Sequence, residues 1–184
     1  MHLKKKTKKK ENGKILTISL IVSIVTLSLA VFFFGLGEFS NNLTSSSSND
    51  YIQNSGYFGE CVNKQCTRNG LTTSLVLVTI GFILALHSAA FSVVSFLFQK
   101  QVLSDVLLKI LIVVLAYNVA SVIFMIVGWN ELRLFLSTDT THWSYAMLIV
   151  GYSFGVLSII PITFSILITY GIQFDKNNQI TNVK

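Results

Sequence analysis

The sequence contains few charged residues, little proline and little cysteine. Only 12% of its 184 residues are charged, whereas a soluble domain averages roughly 25%. This low charge nearly excludes a soluble enzyme or a nucleic-acid-binding protein. Proline occurs once, at position 161, so no other proline interrupts the apolar segments. Two cysteines are too few for a dense disulfide framework.

Hydrophobic residues make up 52% of the chain, and the mean hydropathy is +0.64. A helix needs roughly 20 apolar residues to cross a hydrocarbon core of about 30 Å. A barrel would instead show alternating segments of about ten residues. The first apolar segment could also be a signal peptide, but it is longer than the usual apolar core and no clear cleavage site follows. We therefore predict an all-α membrane protein, a four-helix transmembrane bundle, with spans at 15–36, 71–98, 106–129 and 143–174.

The distribution of basic residues predicts the orientation, because cytoplasmic segments of membrane proteins are enriched in lysine and arginine. With both termini in the cytoplasm, the inner side carries eleven lysine and arginine residues, counting Lys109 one turn inside the third span, and the outer loops carry three. We expect an integral protein of the plasma membrane. Its cytoplasmic segments would be residues 1–14, 99–105 and 175–184, and its outer loops residues 37–70 and 130–142.

The N-terminal tail is rich in lysine, and this feature has two interpretations. The lysines can set the topology and keep the tail solvated. They can also bind anionic lipid head groups, at roughly 1 kcal/mol per basic residue near the surface. Both interpretations can hold together. The lysines concerned are Lys4, Lys5, Lys6, Lys8, Lys9 and Lys10.

Both cysteines, Cys61 and Cys66, lie in the first outer loop. Because an outer compartment is oxidising, two thiols in one loop predict a disulfide bond, which would close a ring of six residues. The alternative is a redox-active pair in a four-span enzyme. That chemistry favours Cys-x-x-Cys and a second cysteine pair, neither of which is present. The loop also contains a candidate N-glycosylation site at Asn42, followed by Leu43 and Thr44.

The most specific motif precedes the first cysteine: residues 56–61 are Gly-Tyr-Phe-Gly-Glu-Cys. Its spacing is that of Gly-Leu-Trp-x-x-Cys followed by a second cysteine in the same loop. In this the chain resembles the claudin superfamily, which includes the peripheral myelin and epithelial membrane proteins and the calcium-channel gamma subunits. The four spans, the long first outer loop and the His-Trp-Ser-Tyr-Ala segment at 142–146 are similar as well.

The resemblance implies a disulfide-tied first extracellular loop that can carry a small β-sheet. Gly56 and Phe58 would position this loop, with Phe58 standing where the family has tryptophan. The cysteines are closer together and the loop is shorter than in a claudin, which argues against claudin-type strands and selective pores. Tetraspanins and gap-junction proteins fit less well, because their characteristic cysteine patterns are absent.

Small residues form stripes along the predicted spans, and such stripes let helices approach closely. We expect them to pack the protein's own bundle, with lateral association as the alternative. Two polar residues, His87 and Asn118, lie at matching depths in neighbouring spans and are predicted to hydrogen-bond with each other. The small residues concerned are Gly81, Ala85 and Ser88 in the second span, and Gly151 and Gly155 in the fourth.

These observations predict a non-enzymatic protein with a structural or organising role, in cell contact, membrane organisation or modulation of a partner channel. We expect no cofactor and no metal. The expected partners are the lipid bilayer, a second copy of the chain or a partner membrane protein, and not nucleic acid. The alternative is a small transporter or channel using the intramembrane residues His87 and Asn118, because intramembrane ionisable residues often mark transport pathways.

Overall fold

In the part of the chain that it describes, the computed structural model contains four long helices, each with an apolar segment of sufficient length to cross a membrane. The apolar segments are Glu11–Gly37, Val76–Phe98, Ser104–Gly128 and Ala146–Phe174. They confirm the predicted number of spans and an integral membrane protein. The structure describes the backbone of residues 2–38, 44–48, 51–55, 59–62, 65–68, 73–99, 104–135 and 143–181, and the side chains of residues 11–37, 76–99, 104–128 and 146–174.

The helices are α1 His2–Glu38, α2 Thr73–Phe98, α3 Ser104–Phe135 and α4 Trp143–Thr181. Three of them continue well past the predicted spans: α1 includes the backbone of the lysine-rich tail, and α3 and α4 extend at their C-terminal ends. α4 also continues through Pro161 without ending. Asp105 lies in the first turn of α3, where a carboxylate interacts favourably with the positive end of the helix dipole.

The helices run up and down in sequence order. α1 packs most extensively against α4, and α2 against α3, with smaller α1–α2 and α3–α4 interfaces. In one apolar cluster, Phe34 near the end of α1 packs with Val78 near the start of α2 and Leu148 near the start of α4. We call this the distal end of the bundle. A second cluster, around Leu16, Phe96 and Leu107, lies at the opposite, proximal end, where the N-terminus is.

The described residues between α1 and α2 form four short strands: β1 Thr44–Ser48, β2 Tyr51–Ser55, β3 Gly59–Val62 and β4 Gln65–Arg68. They pair antiparallel in the order β1-β2-β3-β4. In the β3–β4 pair, Cys61 lies opposite Cys66.

Candidate functional site

The predicted intramembrane polar pair is not formed, although both residues lie in the middle of their helices. Asn118 is buried, and its side-chain Nδ2 donates to Gly155 O at 3.1 Å and to Ser158 Oγ at 2.8 Å. The Ser158 hydroxyl in turn donates to Gly155 O at 2.7 Å. Asn118 therefore links α3 to α4, and His87 is not its partner.

His87 faces away from the bundle. Its side chain is exposed, its Nδ1 is 2.8 Å from Ile83 O on the same helix, and its ring stands edge-on to that of Tyr117 at a centroid distance of 6.1 Å. The adjacent residue Ser88 is fully buried and donates to Val114 O on α3. Because successive helical residues are rotated by about 100°, His87 does not share the buried position of Ser88 and lies at the exposed edge of the α2–α3 interface, beside Tyr117. The prediction matched the depth of His87 and Asn118 but not their direction.

The interface between α2 and α3 is held by serine side chains that bind backbone carbonyls of the opposite helix. Ser88 Oγ lies 3.1 Å from Val114 O, and Ser121 Oγ lies 2.7 Å from Gly81 O. A Cβ added at Gly81 would lie 2.9 Å from Met125 Cγ, so the helices approach too closely for a side chain there. Ala85 is buried along the same stripe. The small residues of α2 thus contact this protein's own α3.

The glycines of α4 make equally close contacts. A Cβ on Gly151 would be 2.7 Å from Phe34 Cδ1 and 2.9 Å from Phe34 N, on α1. A Cβ on Gly155 would be 3.2 Å from Val122 Cγ2, on α3. The Gly-x-x-x-Gly pattern of α4 therefore lets two helices approach at once, one at each glycine.

A cluster of buried hydroxyls joins α1 to α4 near Pro161. Ser19 Oγ is 2.8 Å from Pro161 O, and Ser165 Oγ is 2.9 Å from Ser19 Oγ. Ser23 and Thr169 continue the cluster by bonding to backbone carbonyls within their own helices. These bonds satisfy polar atoms that hydrocarbon could not.

The sequence patterns described above did not predict that Ser158, Ser165 and Thr169 belong to this interior. A signal was present, because the stripe that begins at Gly151 and Gly155 continues through 158, 165 and 169 at helical spacings of three, four and seven. In the part of the chain whose side chains are described, every buried polar residue is serine, threonine or asparagine. One of them, Ser92, has a hydroxyl without a hydrogen-bond partner.

An apolar cavity of about 300 Å³ lies at the distal end of the bundle. Its lining includes three buried residues, Phe34 on α1, Val78 on α2 and Met125 on α3. Ile149 on α4 also lines the cavity and is 44% exposed. Such a lining excludes charged ligands and suits hydrocarbon. Tyr152, Ile126 and Leu148 complete the lining.

Several predicted site residues lie outside the described part of the chain. Asn42, Gly56 and Phe58 are among them. For Cys61 and Cys66 the structure describes the backbone, which places them as cross-strand neighbours. The tail lysines at 4–10 belong to the backbone of α1, and their side chains are not among those described. In the residues that can be searched, no group of three or more His, Cys, Asp or Glu side chains could hold a metal ion.

No protein-family model matches this chain, and no curated protein matches it.

Proposed function

We propose that this protein is a claudin-like four-span membrane protein with a structural or organising role. It acts in cell contact, in membrane organisation or on a partner channel, from the plasma membrane, with both termini in the cytoplasm. The observation that carries the proposal is the interior of the bundle, where the helices are locked together by short hydrogen bonds and backbone contacts around Asn118.

This interior suits a scaffold rather than a transport pathway. The buried amide of Asn118 is held by a carbonyl and a hydroxyl of α4, so moving a substrate past it would require breaking both bonds. Gly81 and Gly151 hold their neighbouring helices at distances that leave no room for a methyl group. A closely packed bundle of this kind can hold a loop or a lipid-facing surface in place for a partner.

The outer segment supports the same proposal. Residues opposite each other in an antiparallel pair have Cα atoms about 4.5 or 5.5 Å apart, and a disulfide requires about 4.4–6.8 Å. The register that opposes Cys61 to Cys66 is therefore compatible with a disulfide between them. We propose that this disulfide ties the first extracellular loop, that Gly56 and Phe58 position it and that Asn42 carries a glycan.

The transporter alternative needs His87 and Asn118 along one path. The two side chains point in different directions, His87 outward and Asn118 into α4. A histidine on the lipid-facing surface cannot pass protons to a residue inside the bundle without a connecting group. This arrangement favours a structural role over transport.

Microscopy of mixed cells tests the proposed role. Tagged protein is expressed in half of the cells of a culture, and its distribution is compared at contacts between two expressing cells and at contacts with a non-expressing cell. Enrichment only where two expressing cells touch supports adhesion by the outer loop, and the Cys61→Ser variant should then lose it. A uniform signal would contradict adhesion between copies and leave a lateral partner in the same membrane as the target.

A further inference from the structure

Two polar side chains, the exposed His87 and the half-buried Tyr117, lie next to each other on the lipid-facing surface of α2 and α3, near the middle of the predicted spans. His87 is the twelfth of the 23 residues in the span Val76–Phe98. At about 1.5 Å per residue it is roughly 17 Å from either end of this span. The ring of Tyr117, on α3, is 6.1 Å away. Hydrocarbon at this depth cannot hydrogen-bond to either side chain.

Each of these side chains has one polar atom without a partner in the described part of the chain. The Nδ1 of His87 bonds to Ile83 O, so in the neutral ring Nδ1 carries the proton and Nε2 is left as an acceptor. The hydroxyl of Tyr117 makes no hydrogen bond to any described residue, although its ring contacts His87 and Phe91. The surface thus offers one acceptor and one donor, side by side.

We propose that this surface binds the same surface of a second copy of the chain across a two-fold axis. Tyr117 of one protomer donates to His87 Nε2 of its partner, and the reciprocal bond forms at the same time. A two-fold axis exchanges donor and acceptor, so a second copy satisfies both atoms on both chains. A lipid tail satisfies neither of them.

The residues around the pair can supply the packing that such a dimer needs. Ile83, Phe91 and Val94 on α2 are between 36% and 46% exposed, and Val113 on α3 is 41% exposed. Helix association in membranes relies on van der Waals contact together with interhelical hydrogen bonds. The proposal concerns lateral association within one membrane and does not depend on the role of the outer loop.

Energy transfer between donor-labelled and acceptor-labelled chains in phosphatidylcholine vesicles tests the proposal. Homodimers of His87→Leu or of Tyr117→Phe lose both bonds, so their dissociation constant should rise about eight-fold over that of the unmodified chain. A mixture of the two variants retains one bond in each mixed pair. Once the statistical preference for mixed pairs has been corrected for, the dissociation constant of the mixed pair should be only about three-fold higher than that of the unmodified chain.

Tyr170→Phe is the matched control, because Tyr170 is 58% exposed on α4 and lies outside the proposed interface. It should associate like the unmodified chain. Tyr117→Phe removes a single hydroxyl and leaves the ring, so the test does not depend on how well the histidine variant folds. The proposal is overturned if the unmodified chain stays monomeric, if the variants associate as well as it does, or if the mixed variants associate no better than either variant alone.

Discussion

Gly151 on α4 and Phe34 on α1 are in contact so close that a Cβ on the glycine would lie 2.7 Å from Phe34 Cδ1 and 2.9 Å from Phe34 N. The second distance involves backbone, which cannot rotate away as a side chain can. The α1–α4 interface is the most extensive in the bundle, so the packing of the distal end depends on the absence of a side chain at this position.

Gly151→Ala should therefore destabilise the bundle. The added methyl must displace α1, and overpacking of this kind costs about 1–3 kcal/mol of unfolding free energy. Denaturant titration of the protein in mild detergent micelles measures the change. Gly171→Ala is the matched control, because a Cβ there meets nothing within 4 Å and the residue lies in the same helix. Equal stabilities for the two variants would contradict the packing described here.

Asn118 and Ser158 should be energetically coupled. Asn118→Ala removes two interhelical hydrogen bonds, and Ser158→Ala removes the acceptor of one of them. Interhelical hydrogen bonds in membrane proteins contribute about 0.6–2 kcal/mol each, so both variants should unfold more readily and the double variant should lose less than the sum.

The control for this pair is Ser153→Ala, since Ser153 is exposed and bonds only to Ile149 O on its own helix. Its unfolding free energy should stay within about 0.5 kcal/mol of the original. Strict additivity of Asn118→Ala and Ser158→Ala would show that the two side chains do not interact.

The tail lysines should contribute to the orientation. Replacing the six lysines between residues 4 and 10 by glutamine reduces the basic residues on the proposed inner side from eleven to five, against three outside. The orientation bias should weaken, and a fraction of the chains should insert inverted. Protease accessibility of an N-terminal tag on intact cells measures that fraction. Replacement by arginine keeps the charge and should keep the orientation. If the glutamine variant shows no inverted chains, other features determine the topology.

The number and approximate position of the spans could be predicted from the sequence, because long uncharged segments have no other stable conformation in a bilayer. The ends of the helices could not. α1 continues back to His2 through the lysine-rich tail, and α4 continues to Thr181. Hydropathy marks where the membrane ends, whereas the helix continues wherever the residues beyond the membrane also favour it.

The direction of the polar side chains was harder to predict than their depth. Counting residues placed His87 and Asn118 at the same level, but the angle of each around its helix depends on which face packs. Ser88 occupies the face of α2 that contacts α3, and this turns His87 toward lipid. The stripe of small residues on α2, which includes Ser88, was recognised in the sequence. His87 is adjacent to Ser88 along the helix, so it does not lie on that stripe. The position of the stripe therefore predicts that the histidine is off the centre of the interface.

The proposed extracellular loop is tested most directly at its two cysteines, which must lie outside the cell and be bonded to each other. Intact cells are treated with a membrane-impermeant maleimide before and after an impermeant reductant, and the labels per chain are counted by mass spectrometry. No label is expected before reduction and two labels after it, one on Cys61 and one on Cys66. Labelling without reductant would contradict the disulfide, and labelling only after the cells are permeabilised would contradict the proposed orientation.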